Sequence, residues 1–99
     1  MRIRDYDEQL GLFHELDKLE ELSLASNEIY ELIPEIESCT SLIELDLSDN
    51  DLTTIPEEVF NLPKLKKLIL TDNPISKEIK TYLKIRFADK NDGCFDLRF

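Results

Sequence analysis

Leucines recur through the middle of this 99-residue chain at a constant interval of 23 residues. Leu19, Leu42 and Leu65 form one column, Leu22, Leu45 and Leu68 a second, and Leu24, Leu47 and Leu70 a third. Two more columns keep the period: Asn27, Asn50 and Asn73, then Ile29, Leu52 and Ile75. Each unit reads L-x-x-L-x-L-x-x-N-x-[LI]. Its L-x-L step alternates apolar and polar positions, which predicts a short strand with one buried face. The strands expected are Glu21–Leu24, Glu44–Leu47 and Lys67–Leu70. One such strand cannot cover its own leucines. A fixed period of this size therefore predicts stacked turns of chain, each sheltering the next, with strands paired in parallel.

The ends do not repeat. Asp5, Tyr6, Asp7 and Glu8 read as a helix start, with acidic groups at the positive helix end. Tyr6, Leu10, Phe13 and Leu16 then mark one apolar stripe, which predicts a helical cap over the first strand. Arg2, Ile3 and Arg4 alternate weakly, as a short leading strand would. Thr54 to Glu58 reads as a helical turn, with Pro56 at its first helical position. After Asn73-Pro74, Ser76 reads as the cap of a helix with Lys77 to Phe87 behind it. Ile79, Leu83 and Phe87 give that helix an apolar face, with Tyr82 beside it, and Lys77, Lys80 and Lys84 line another. A basic amphipathic helix suits a membrane surface, but at the end of a stack it suits a cap better. Asn91-Asp92-Gly93 is a turn signal. Phe95, Leu97 and Phe99 alternate with Asp96 and Arg98, which predicts a fourth strand at the sheet edge.

Three copies of the motif resemble the leucine-rich repeat family. The middle unit, with Ile55-Pro56 and Val59, is similar to the 23-residue subtype, in which a short helical turn follows Ile-Pro. Pro34 of the first unit sits one place later in the frame, and the third unit departs at Pro74. The resemblance implies an α/β leucine-rich repeat solenoid: a right-handed β-α superhelix with a short parallel sheet on its concave face and helical caps at both ends. One domain, 1–99, is expected: an N-terminal helical cap (1–18), repeats 19–41, 42–64 and 65–87, the last with a longer capping helix, and a turn and strand over 88–99. The positions between the leucines would then face a ligand. They are Glu21, Ser23, Ala25 and Ser26; Glu44, Asp46, Ser48 and Asp49; and Lys67, Ile69, Thr71 and Asp72, with Asp96 and Arg98 extending the face. The asparagine column reads as structural. A buried amide can pair with backbone groups of adjacent turns that otherwise lack partners.

Charge changes this picture more than composition does. The formal net charge is -10. Between Asp5 and Pro63 there are 17 acidic residues and one basic, Lys18; from Lys64 onwards there are 5 acidic and 9 basic. An acidic body repels phosphates and disfavours nucleic acid as a partner. It favours a protein with a basic or polar patch, because opposite fields speed encounter.

Candidate chemistry is sparse. His14 is the only histidine, and no nucleophile elbow, phosphate loop or dinucleotide fingerprint occurs. Glu44, Asp46 and Asp49 are carboxylates that could converge, yet an open sheet offers no dry cavity and no calcium-loop spacing is present. No enzyme activity, cofactor or metal is expected. Cys39 falls in a core column, and a Cys39–Cys94 disulfide does not suit a cytosolic protein. No stretch approaches the roughly 20 apolar residues of a membrane span, and the start lacks the apolar core of a secretory signal. The expectation is a monomeric cytoplasmic interaction module or scaffold part. The alternative is an acidic inhibitor or immunity-type protein that blocks a basic enzyme such as a nuclease or defence factor.

Overall fold

A computed structural model describes residues 17–32 and 34–99. The elements are β1 (Glu21–Ser23), a 3-10 turn (Pro34–Ser38), β2 (Glu44–Asp46), α1 (Glu57–Phe60), β3 (Lys67–Ile69), α2 (Lys77–Arg86), a second 3-10 turn (Lys90–Gly93) and β4 (Asp96–Arg98). The N-terminal cap expected over 1–18, and the leading strand at Arg2 to Arg4, lie outside the described residues apart from Asp17 and Lys18.

The four strands form one parallel sheet in the order β1-β2-β3-β4. Leu22 pairs with Leu45, Leu45 with Leu68, and Leu68 with Leu97. The sequence columns have become rungs of one sheet. The first three strands are each one residue shorter than the alternation predicts, yet pairing continues past their ends. Leu24 N–H donates to the Asp46 carbonyl at 2.8 Å, Leu47 N–H to Ile69 at 2.8 Å and Leu70 N–H to Arg98 at 2.7 Å.

Apart from Leu19, which is only partly covered, the leucines of all three columns are buried beneath the sheet, with Ile29, Leu52 and Ile75 closing one side of the layer. Ile36, Val59, Leu62 and Cys39, from the returning half of each turn, close the other. Burial pushes the Cys39 thiol up to about 11, so it stays protonated and acts as a small apolar filler. Cys94 is exposed, and no disulfide joins the two.

The chain leaves each strand through a residue of positive φ: Ser26 at 60°, Asp49 at 55° and Asp72 at 60°. A left-handed residue reverses the backbone sharply, and short polar side chains tolerate it. That reversal drops the next residue, always asparagine, under the sheet. Asn50 is 5% exposed. Its Oδ1 accepts from Asn27 N at 2.9 Å and Ile29 N at 3.0 Å. Its Nδ2 donates to the carbonyls of Leu24, Leu47 and Ser48 at 3.1, 2.9 and 3.2 Å. Asn73 repeats the arrangement one turn on, accepting from Leu52 N at 3.0 Å and donating to Leu47 at 2.9 Å and Leu70 at 3.1 Å. The Asn50 and Asn73 amides thus each stitch their own turn to the one before.

Pro56 differs from expectation by one place. It is the N-cap of α1, at φ -72° and ψ 158°, rather than its first helical residue. Proline offers no side-chain acceptor, so no side-chain cap bond forms there, and Glu57 and Glu58 supply the favourable charge instead. Ser76 caps α2 as read, its Oγ accepting from Ile79 N at 3.3 Å. Leu83 and Phe87 carry the buried face of that end, with Ile79 packed partly against the core. Phe87 stacks on Phe95 at 4.4 Å and lies tilted at 4.9 Å from Phe60. The Lys90 ammonium donates to the carbonyls of Leu62 at 2.7 Å and Phe60 at 3.3 Å, which pins the second 3-10 turn to the end of α1. Burial lowers its pKa.

The two helices are also joined by a clamp at the surface. The Arg86 guanidinium reaches both Glu57 carboxylate oxygens, at 3.0 and 2.8 Å, donates to Tyr82 Oη at 2.6 Å, and lies 4.0 Å over the Phe60 ring. Its hydrogen bonds hold the Glu57 carboxyl below the usual glutamate range. The depressed pKa means this contribution to stability is fully present above the usual glutamate range and is lost as pH falls through the folded value. Thermal unfolding followed from neutral to acidic pH should therefore separate wild type from Glu57→Gln. Wild type should be the more stable at neutral pH, and the gap should close in acid. Parallel curves would remove the clamp from the stability of this end.

Concave sheet face as candidate functional site

The sheet's solvent face is written by the residues between the leucines. The strand register sets them in two rows. One row is Glu21, Glu44, Lys67 and Asp96; the other is Ser23, Asp46, Ile69 and Arg98. Both rows stand on paired backbone, so their spacing is fixed before any ligand arrives.

The remaining predicted residues lie past the strand ends. Ser48 and Thr71 begin the turns, and Asp49 and Asp72 occupy the left-handed positions. Asp49 is engaged by its neighbour, because Ser26 Oγ donates to Asp49 Oδ2 at 2.8 Å. Ser23 and Asp46 also bond the backbone two residues on: Ala25 N donates to Ser23 Oγ at 3.4 Å and Ser48 N to Asp46 Oδ1 at 3.0 Å. Side chains of this type close turns by mimicking backbone. Glu44, Asp46 and Asp49 do not converge. Glu44 turns to Lys67, Asp46 to its own turn and Asp49 to Ser26. Among the described residues no group of three or more His, Cys, Asp or Glu is arranged to hold a metal ion.

Electrostatically the face is less uniform than a count of carboxylates suggests. Lys67 Nζ sits 3.1 Å from Glu44 Oε1 across the β2–β3 pair. Arg98 pairs with Asp96 along β4, at 3.2 Å through Nε and 3.1 Å through its terminal nitrogen. The Asp96 hydrogen bonds, and more weakly the charges of Asp96 and Glu44, raise the Arg98 pKa. Glu44 and Asp96 therefore have cations beside them, both from the C-terminal half. Asp46 and Asp49 bond turn groups instead, and both lie at or just past the end of β2. Ile69 is the half-buried apolar residue within these rows.

Sequence reasoning missed this pairing, although the signal was available. The same 23-residue column that aligns leucines also sets Glu44 directly against Lys67. It also missed a shallow cleft of about 280 Å³ away from the sheet face, lined by Tyr30, Leu32, Pro34, Thr54, Ile55 and Pro56 with Glu31 and Glu58 at its edge. Tyr30, 77% exposed, is its most prominent side chain. No helix of the described residues is long and apolar enough to cross a membrane.

Parallel rungs contributed one per turn of chain, stitched by asparagines and open on one sheet face, define a stacked-repeat solenoid. The sequence signature described as Leucine rich repeat matches residues 17–75, and the chain belongs to the leucine-rich repeat family. Thirteen chains of solved structures match it significantly. One, a leucine-rich repeat protein of Leptospira interrogans, is 35% identical and aligns with a TM-score of 0.73 over 87% of this chain. The match takes in 21% of that protein's chain, so the present chain spans about a fifth of its length. No curated protein matches significantly. Domains of this family are typically non-enzymatic and generally mediate protein–protein interaction.

Proposed function

We propose that this protein binds another protein through the solvent face of its sheet, with Glu21, Ser23, Glu44, Asp46, Ser48, Asp49, Lys67, Ile69, Thr71 and Asp72 forming the contact surface. The observation that carries this reading is the rigid double row of mostly polar side chains on four in-register strands. A surface already held by backbone pairing loses little freedom on binding. The partner presents a basic or polar patch opposite β1 and β2, where Asp46 and Asp49 leave negative charge, and a small apolar group opposite Ile69. Three or four short strands make a small face, so a weak to moderate complex is expected. The negative field disfavours nucleic acid as that partner.

Reversing charge with Glu44→Lys plus Asp46→Lys tests the site. Proteins retained from native lysate by the wild-type chain should be lost with the double variant, with affinity falling by about tenfold or more. Thermal melts of both chains establish that the variant is folded. Undiminished retention by a folded variant rejects the sheet face as the site.

The net charge of -10 also supports a second reading, an acidic inhibitor that occludes a basic enzyme. The two readings differ in kinetics. Inhibition by charge complementarity requires tight binding whose association rate falls steeply with added salt. A scaffold-type contact shows a shallow salt dependence.

A further inference from the structure

The pattern that organises β4 is symmetric about its centre. Residues 95–99 read Phe, Asp, Leu, Arg, Phe, so the stretch is complementary to itself when laid antiparallel. Leu97 would meet Leu97, Asp96 would meet Arg98, and Phe95 would meet Phe99.

The fold leaves this stretch at an open edge. Asp96 N–H donates to the Lys66 carbonyl at 2.9 Å, and the Arg98 carbonyl accepts from Leu70 N at 2.7 Å. Backbone groups alternate sides along a strand, so the N–H and C=O of Leu97 point away from β3. The corresponding residue of β2, Leu45, directs these groups into the ladder with β3. For Leu97 no further strand follows among the described residues. An edge of this kind is a template for another strand. Burial tells the same story. Leu22, Leu45 and Leu68 are buried, whereas Phe95, Leu97 and Phe99 are only partly covered. Three large apolar side chains in a row stand half-sheltered along this edge.

We infer that β4 pairs antiparallel with β4 of a second copy of this chain, joining two four-stranded sheets across a two-fold axis at Leu97. Both Leu97 N–H groups then donate to the opposite Leu97 carbonyl. Asp96 and Arg98, which pair within one strand at 3.1–3.2 Å, exchange that bond for one across the interface. Charged side chains directly opposite one another stabilise an antiparallel pair when unlike and oppose it when like. Two-fold symmetry makes the contact close on itself, so it gives a dimer and not a fibre. The contact is a short strand with a few side chains and lies below the area of a standard interface. Self-association in the range of about 10 µM to 1 mM is expected. This departs from the monomer that the sequence alone suggests.

Sedimentation velocity of the 99-residue chain from micromolar to millimolar concentration tests the pairing. Wild type should shift from monomer to dimer. In Asp96→Arg, two cations face each other at each end of the pair; in Arg98→Asp, two carboxylates do. Each variant alone should weaken dimerisation by about tenfold or more. Mixed in equal amounts, the two variants become mutually complementary and should form a heterodimer with affinity near wild type. A loss of folding would not be repaired by mixing, so recovery is specific to the proposed register. Monomeric wild type at the highest concentration overturns the inference. So does a dimer that ignores either substitution, or a mixture that stays monomeric.

Discussion

Asn50→Ala should lower stability by about 3 kcal/mol, roughly 15 °C in melting temperature for a domain of this size. The estimate follows from which groups lose a partner. The carbonyls of Leu24 and Leu47 also receive the amides of Asn27 and Asn73, so they stay bonded. Two backbone donors, Asn27 N and Ile29 N, lose the Asn50 oxygen, and the Ile29 bond lies in the buried interior. A buried donor left unsatisfied costs on the order of 1–3 kcal/mol, and alanine also leaves a gap. Asn73→Ala should cost less, because Asn73 is less deeply buried and its oxygen accepts from the backbone at Leu52 N, against two such donors on Asn50. Equilibrium denaturation of the two variants gives the ordering. An unchanged midpoint for Asn50→Ala, or a larger effect at Asn73, would mean that the ladder does not hold the turns together.

The ladder shows how much of this molecule could be read before any coordinates. A period of 23 places equivalent residues side by side, and that fact alone yields the leucine rungs, the asparagine stitches and the parallel sheet. The fourth strand was legible for a different reason: alternation at Phe95, Leu97 and Phe99 is local and needs no repeat. What was not legible depends on contacts that the period does not relate. Arg86 meets Glu57 and Phe60 only because α2 packs beside α1, and no interval in the sequence announces that. Pro56 was misplaced by one residue, since a proline suits both the N-cap and the first helical position and only the backbone chooses between them.

The candidate face was legible as a set of positions but not as an electrostatic surface. Counting carboxylates made the body of the chain acidic. The register then set Lys67 against Glu44, and β4 brought Arg98 alongside Asp96. Exposed pairs of this kind contribute about 1 kcal/mol or less to stability, yet they decide which carboxylates are available to a cation on a partner. Ser23 and Asp46 carry a second duty as turn closers. Substituting either one perturbs the exit from its strand as well as the face. Charge reversal there must therefore be judged on a variant shown to be folded.

Leu45→Ala should cost about 3 kcal/mol, while Glu44→Ala, one residue earlier on the same strand, should cost under about 1 kcal/mol. Leu45 is fully buried and is flanked in register by Leu22 and Leu68. Truncation removes apolar contact towards both neighbouring turns and leaves a cavity that the fixed strand spacing cannot close. Glu44 faces solvent and gives up a surface ion pair with Lys67 and a weaker attraction to Arg98. In an array where each turn touches only its neighbours, the central rung also couples the two halves. Denaturant titration should therefore show a lower midpoint for Leu45→Ala, with any fall in slope marking the halves beginning to unfold separately. Equal losses from the two substitutions would contradict the alternation of buried and exposed positions on which the sheet face, and every residue assigned to it, depends.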